Sequence, residues 1–455
     1  MKLTFRILLF LTFLSFFGGL QAQDYSRYYT LDEMPDAGVF LPAPPAFADP
    51  LFANDFYKWQ WGKSQRDTER GIMASLDSEK NERRMAEIYG EVMDMEITKE
   101  GTPAIWKLIS RTSATARYTV VKAKKKYMRI RPFVKMNEHV ASKYDDEERL
   151  SSNGSYPSGH TAYGWSVALA LAEMAPEYQD ALLRRGYQYG ESRVIVGAHW
   201  QSDVDASLMA MAAAMARLHT SDEYIKDLEE ARNEFAKIKS LPKKTGMTSY
   251  PNGENIIDPV GDIDDFNYYA DVVTFWEAEK LRDTERGKQA LIDADSSLEG
   301  VLSCFSPYVG ITLSENETPA IAELVATAGD TFLNESSRMK AKGFRTRPYV
   351  QLGEPTMVPD DEEAAKNTSS FPSSSAALGW GIALILTEIA PAHQNELMRR
   401  GYEYGYSRVI VGYHYSSDVL AGRLMATYVY TQMHNDPAFA KLMAKAKKEY
   451  SKKTK

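Results

Sequence analysis

An internal repeat limits the folds that this chain can adopt. Short segments of identical sequence return about 215 residues later. They are RDTERG (66–71 and 282–287), TPAI (102–105 and 318–321) and RVIVG (193–197 and 408–412). The offset is 216 residues for the first two and 215 for the third, so one residue was lost between them. Matching of this density predicts two tandem copies of one domain.

Both copies are expected to be helical, which predicts an all-α fold of two helical-bundle domains. Residues 161–175, 178–190 and 203–219 are rich in strong helix formers or carry apolar residues at helical spacing. No sustained alternation of apolar and polar residues indicates a strand. The apolar share of 44% is enough for a sizeable core.

The domain boundaries follow from the repeat and from the start of the chain. Residues 1–22 have the pattern of a secretory signal peptide, with Lys2 and Arg6 before an apolar run and a small residue at its end. We therefore expect a periplasmic or secreted protein, with a first domain over 23–240 and a second over 256–455. No later apolar run reaches the roughly 20 residues of a membrane span.

Charge and cysteine content narrow the function classes further. The net charge of −8 argues against a nucleic-acid duplex as a partner, although a local group of cations could still hold an anionic substrate. The single cysteine, Cys304, cannot form an internal disulfide and is expected to be a buried core residue.

Residues 157–160, with the sequence PSGH, form the first chemically suggestive segment. Pro157 suits the first turn of a helix, where its missing N–H is not needed. Gly159 lets the backbone approach a ligand closely, and the free N–H groups at a helix start bind phosphate. His160 could then protonate a leaving oxygen.

A second pair, His199 and Asp203, is spaced to share one face of a helix. The carboxylate would fix the imidazole tautomer and leave the other ring nitrogen as a nucleophile. A metal site is an alternative for this spacing, although no third ligand stands close by in sequence. Phosphate oxygens could be held by Lys124, Arg131 and Arg193, since Arg offers a planar fork and Lys a point charge.

Taken together, these residues resemble the three-part signature of the PAP2 and vanadium-haloperoxidase superfamily. Residues 129–133, 153–160 and 186–205 are similar to bacterial class A non-specific acid phosphatases. The resemblance covers about 50–235 and returns over about 266–450.

The resemblance implies a phosphomonoesterase with no cofactor and no metal. His199 would attack phosphorus and become a phosphohistidine, Asp203 would orient it, and His160 would protonate the leaving alcohol and then activate water. The implied phosphate-binding groups are Lys124, Arg131, Ser158, Gly159 and Arg193. Nearby cations should lower the pKa of His199 and a bound anion should raise that of His160, which predicts a bell-shaped, acid-to-neutral pH profile.

The second copy departs from the signature at the acid. PSGH has become PSSS at 372–375, so a serine replaces the general-acid histidine. The remaining site positions are Lys340, Arg347, Ser373, Arg408, His414 and Asp418. The sequence predicts a degenerate site that still binds phosphate or sulfate but turns over slowly, if at all. The alternatives are real catalysis and a role in packing alone.

Two other functions remain open at this point. A vanadate-dependent haloperoxidase would use the same oxyanion cradle, and a phosphate-binding protein would have no useful turnover. The expected partners are small phosphomonoesters, and the two copies could pair within the chain or within a homo-oligomer, as related enzymes assemble.

Overall fold

The computed structural model describes residues 25–240, 249–258 and 266–454. The predicted signal peptide lies outside these ranges. The described residues form helices and no strand, so the all-α prediction is confirmed. Within them, no helix combines the length and the apolar character that crossing a bilayer requires.

Twelve helices form the first half of the described chain. They are α1 (Ala37–Phe40), α2 (Phe52–Gln65), α3 (Glu69–Leu76), α4 (Glu82–Val92), α5 (Pro103–Ala116), α6 (Tyr118–Tyr127), α7 (Pro132–Lys135), α8 (Glu147–Ser151), α9 (Gly159–Met174), α10 (Gln179–Ile195), α11 (Gln201–Leu218) and α12 (Asp222–Ile238). A 3-10 turn at Pro176–Tyr178 joins α9 to α10.

The second half repeats this order with ten helices among the described residues. They are α13 (Phe266–Glu279), α14 (Glu285–Ile292), α15 (Leu298–Val309), α16 (Pro319–Lys340), α17 (Pro348–Leu352), α18 (Glu362–Ala365), α19 (Ser374–Ile389), α20 (Gln394–Val411), α21 (Ser416–Met433) and α22 (Pro437–Lys453). Further 3-10 turns lie at Gly253–Asn255, Pro359–Asp361 and Pro391–His393.

The centre of each half is a helix that is buried on all sides. In α9 every residue after Gly159 is buried, and α10, α11 and α5 pack around it. A helix that is apolar around its whole circumference must be enclosed in this way. Its contact with α10 is close, because a Cβ at Gly164 would overlap the Tyr189 ring. The second half repeats the contact with Gly379 and Tyr404.

The two halves contact each other reciprocally. Residues 36–39, which precede α2, lie against α20 of the second half. Residues 252–256, which precede α13, lie against α10 of the first half. The hydrogen bonds are Asp36 N–H to Asn395 Oδ1 (2.8 Å), Arg399 Nη2 to Val39 O (2.7 Å), Asn252 N–H to Asp180 Oδ1 (2.9 Å) and Arg184 Nη1 to Ile256 O (3.2 Å). Elsewhere in this contact the His219 ring stacks on His434. Such same-patch pairing is the geometry of an isologous dimer within one chain.

Candidate active site

The start of α9 presents backbone donors to the site. Ser158 is the N-cap, and its Oγ accepts the Thr161 N–H at 3.2 Å. Gly159 and His160 are the first two helical residues, whose N–H groups have no carbonyl partner within the helix. Together with the helix dipole they favour an anion at this point. Pro157 precedes the cap, so its predicted place in the first helical turn is wrong.

His199 and Asp203 are in contact, but they do not share a helix face as the spacing suggested. His199 lies before α11, Trp200 is the N-cap, and Asp203 is the third helical residue. Asp203 Oδ2 accepts the Trp200 N–H at 2.8 Å and lies 3.3 Å from His199 Nδ1. The first turn of the helix therefore aims the carboxylate at the imidazole.

The tautomer of His199 follows from its other neighbour. Arg131 Nη1 lies 3.0 Å from His199 Nε2, and a guanidinium can only donate. Nε2 must therefore carry the lone pair, and the ring proton sits on Nδ1 facing Asp203. Burial first, then the charges of Arg131 and Lys124, hold the pKa of His199 well below its usual value. The ring is neutral, with its basic nitrogen beside the site cations.

Two further charges fix Asp203 in place. Arg129 donates to Asp203 Oδ1 at 2.8 Å and to Asp55 Oδ2 at 2.7 Å. Asp55 Oδ1 accepts the Ser202 N–H at 2.7 Å at the start of α11. The sequence did not single out Asp55. The available signal was its return in the second copy as Asp271, which makes the same contacts with Arg345 and Ser417.

The catalytic candidates surround a cavity of about 440 Å³. Its lining residues are Ser78, Glu79, Lys80, Arg117, Lys124, Arg131, Tyr144, Arg149, Leu150, Asn153, Gly159, His160 and His199. Lys124 Nζ donates to the Gly154 carbonyl at 2.7 Å, which holds its charge at the cavity wall. The structure thus brings Lys124, Arg131, Gly159 and both histidines to one space.

Ser158 and Arg193 lie buried outside that lining. Arg193 is fully buried and its Nη2 donates to Asp145 at 2.8 and 3.0 Å. Its Nε and Nη1 are buried without a hydrogen-bond partner among the described residues. Buried donors of this kind are normally satisfied, so these two are candidates for binding an oxyanion.

His160 completes the site on the α9 side. Its ring is 7% exposed, and Nε2 lies 3.2 Å from the Ser78 carbonyl oxygen, which orients it. Burial first, then Arg193 and Lys80, hold the pKa of His160 well below its usual value. His160 is therefore neutral in the unliganded site, and an anion in the cavity would oppose these cations and raise its pKa.

The second half keeps the scaffold of this site but not its tight geometry. Arg345 still bridges Asp418 and Asp271. The distance from His414 Nδ1 to Asp418 Oδ2 is 3.6 Å, too long for a hydrogen bond. Burial lowers the pKa of His414 to about 3.

Side chains also differ around the site in the second repeat. Tyr413 replaces Ala198, and the guanidinium groups of Arg408 and Arg347 lie 5.0 and 5.7 Å from its ring centre. Ser374 replaces Gly159, and its Oγ lies 2.7 Å from Ser336 Oγ. Arg408 and Arg347 therefore lie against an aromatic ring that the first site lacks.

One group outside both sites brings metal-ligand atoms together among the described residues. Ligand atoms of Glu173, His219 and His434 lie within 4.8 Å of one another. The two rings, however, stack at 3.7 Å between centroids and 12° between planes. A single ion would therefore lie far out of the plane of at least one ring, and we assign no metal to this cluster.

Comparison with known proteins identifies relatives of each half. A family profile described as the PAP2 superfamily matches residues 107–226 and 320–439. The chain is 44% identical over 205 residues to a "Non-specific acid phosphatase" of Providencia stuartii, spanning 45% of this chain and 82% of that protein. It is 38% identical over 224 residues to a "Non-specific acid phosphatase" of Salmonella typhimurium, spanning 49% and 89%. An "Acid phosphatase" of Zymomonas mobilis is 34% identical over 205 residues, spanning 45% and 77%.

Proposed function

The chain belongs to the PAP2 superfamily, and we propose that it is an exported non-specific acid phosphatase that hydrolyses phosphomonoesters in its first repeat. The names of its relatives support the phosphatase activity. The mechanism rests mainly on the state of His199. Its imidazole is buried and neutral, and the Nε2 lone pair lies among the cations of the cavity.

The proposed reaction has two steps. His199 Nε2 attacks phosphorus, the bond from phosphorus to the ester oxygen breaks, and His160 gives that oxygen a proton. Water then attacks the phosphohistidine, His160 takes its proton, and the P–N bond breaks to release phosphate. Asp203 stabilises the positive charge on the His199 ring in between. The developing oxyanion charge is met by fixed donors, Lys124, Arg131, Arg193 and the start of α9.

The acid preference has a physical basis in His160. Its lowered pKa leaves it neutral in the free site, so the proton needed by the leaving group must arrive with the substrate. A phosphomonoester carries that proton below its second pKa of about 6. We therefore expect kcat/KM to fall above about pH 6, and to fall again at low pH as His199 becomes protonated.

The decisive experiment compares one substitution in each repeat. Phenyl phosphate hydrolysis is measured with the full chain, His199→Ala and His414→Ala. His199→Ala should lose at least about 10³-fold in kcat, while His414→Ala retains most of the activity. Rapid quenching with labelled substrate should trap an acid-labile phosphoprotein in wild type and not in His199→Ala. High residual activity in His199→Ala would refute the assignment.

For the second repeat we propose phosphate binding with little turnover. A general acid typically contributes about 10²–10⁴-fold, and Ser375 cannot supply a proton in the same way. The test introduces Ser374→Gly and Ser375→His together into a His199→Ala background. Recovery of phosphatase activity would support a merely disabled site, whereas no recovery would favour a packing role.

A further inference from the structure

Three cations line the first cavity in addition to the family signature. Lys80, Arg117 and Arg149 share the cavity wall with Lys124 and Arg131. No carboxylate of the described residues lies within salt-bridge distance of these three side chains. The one carboxylate in the lining, Glu79, is bound to Arg83 and Asn81. The cavity therefore carries an uncompensated positive charge.

The extra cations lie close to the reacting groups. A Cβ at Gly159 would stand 3.8 Å from Lys80 Nζ and 3.9 Å from Lys124 Cε. Lys80 remains exposed to the open cavity although protein surrounds it on most sides. This partial burial and the guanidinium groups of Arg117, Arg193, Arg149 and Arg131 lower the pKa of Lys80 to about 8. Like charges held together in this way favour the binding of an anion.

One phosphoryl group does not account for this amount of charge. It brings at most about two negative charges, which the signature cations Lys124, Arg131 and Arg193 already match. A cavity of about 440 Å³ falls in the range of pockets that take whole small molecules. The remaining cations are therefore available to a part of the ligand beyond the transferred phosphoryl group.

The second repeat supplies an internal comparison. Its signature cations are retained as Lys340, Arg347 and Arg408. The three additional positions are neutral there: Ser296 replaces Lys80, Leu333 replaces Arg117 and Ala364 replaces Arg149. The first repeat thus has both the additional cations and His160, and the second repeat has neither. They accompany the copy that has a general acid, and the shared fold does not need them.

We propose that Lys80, Arg117 and Arg149 form a second anion subsite that binds a phosphorylated leaving group. The preferred substrates are then compounds with two phosphoryl groups, of which inorganic pyrophosphate is the simplest. This inference rests on the proposed phosphatase function. His199 Nε2 attacks one phosphorus, the bond from that phosphorus to the bridging oxygen breaks, and the electron pair leaves with the second phosphate. His160 protonates the leaving phosphate, and water later releases the first one, so pyrophosphate and water give two phosphates.

The test replaces each cation by its counterpart in the second repeat. Full-length Lys80→Ser, Arg117→Leu, Arg149→Ala and the triple variant are assayed with pyrophosphate and with phenyl phosphate at pH 5.5. The readout is the ratio of the two kcat/KM values. Each charge-assisted contact is worth roughly a factor of ten in kcat/KM for pyrophosphate. In the triple variant the ratio should therefore fall at least about 100-fold. Added salt should lower the wild-type ratio as well.

Control variants separate charge from folding. Lys80→Arg keeps the charge and should keep the ratio, and Lys226→Ser removes a cation whose side chain is 73% exposed on α12 and should also keep it. An unchanged ratio in the triple variant, with phenyl phosphate still hydrolysed by wild type, overturns the subsite and leaves the phosphatase proposal intact. Wild type that hydrolyses neither substrate overturns both.

Discussion

The stacked histidine pair between the two repeats should make the stability of the protein depend on pH. The His219 and His434 rings lie 3.7 Å apart, and in each ring Nδ1 faces the carbonyl oxygen four residues earlier. His219 Nε2 lies 3.0 Å from Glu173, and His434 Nε2 lies 2.9 Å from Glu388. Both nitrogens of the His434 ring thus face acceptors, which favours its protonated form.

The direction of the effect follows from His434 and Glu388. Burial alone would lower the pKa of His434, but the Glu388 carboxylate outweighs it and the pKa is raised. The stabilisation of the folded protein by protonated His434 is therefore complete below the unfolded pKa of about 6.5. It is lost as pH rises through the higher pKa of the folded state. Burial would raise the pKa of Glu388, but His434 and Lys447 lower it, so its stabilisation is lost only in strong acid. The interface should be most stable between about pH 4.5 and 6.5.

The distances set the magnitude. At an effective dielectric constant of 20, the 2.9 Å pair of His434 and Glu388 is worth about 6 kcal/mol. Breaking a buried pair costs roughly 3–5 kcal/mol. Lys447 remains 2.8 Å from Glu388, so we expect His434→Gln to cost about 3 kcal/mol at pH 5.5. At pH 8.5 the cost should be smaller, falling toward the roughly 1 kcal/mol of a neutral hydrogen bond as His434 loses its proton.

Urea unfolding of wild type and His434→Gln at the two pH values measures this difference. The matched control is His139→Gln, which removes a histidine whose side chain is 95% exposed and 3.1 Å from Glu147. It should change the free energy of unfolding by less than about 0.5 kcal/mol at either pH. A loss in His434→Gln that is equal at both pH values, or that grows with pH, would refute the assignment of charge to His434.

Three further predictions concern the first repeat. His160→Ser should lower kcat/KM about 10²–10⁴-fold for phenyl phosphate and much less for p-nitrophenyl phosphate, whose anion needs no proton, and an equal loss on both would contradict the acid role. Asp203→Asn should lower both kcat and thermal stability, because Arg129 loses a buried partner, whereas Asp418→Asn should lower stability alone. Gly164→Ala should lower the free energy of unfolding by about 1–3 kcal/mol in urea titrations, because the new methyl group overlaps the Tyr189 ring.

The sequence predicted best those features that depend on neighbouring residues. A helix start close to His160 and the contact of His199 with Asp203 both arise within five residues of chain. Even there the geometry differed, because Asp203 reaches back from the first turn of α11 and Pro157 lies outside α9. Spacing predicts that two side chains can meet, but several backbone conformations bring them together.

Features assembled from distant segments could not be predicted in the same way. Lys80 precedes α4, Arg117 lies between α5 and α6, and Arg149 lies on α8, yet all three line one cavity. A single lysine or arginine in such a segment is indistinguishable from a solvated surface residue. The reciprocal contacts between the repeats were equally hidden, since the duplication indicates two similar surfaces and not which patches meet.

The pattern of loss in the second repeat separates chemistry from folding. Arg345, Asp271 and Asp418 are retained because they form a buried network, and removing one member would leave an unpaired charge at a cost of roughly 3–5 kcal/mol. The residues at the changed positions are neutral and do not belong to this buried charge network. Ser296 and Ala364 are exposed, and Ser375 is half-buried. Retention of Asp418 is therefore weak support for turnover in this half, because the same network anchors the start of α21. The presence of His160, Lys80, Arg117 and Arg149, which the shared fold does not require, is the stronger sign that the first half is the catalytic one.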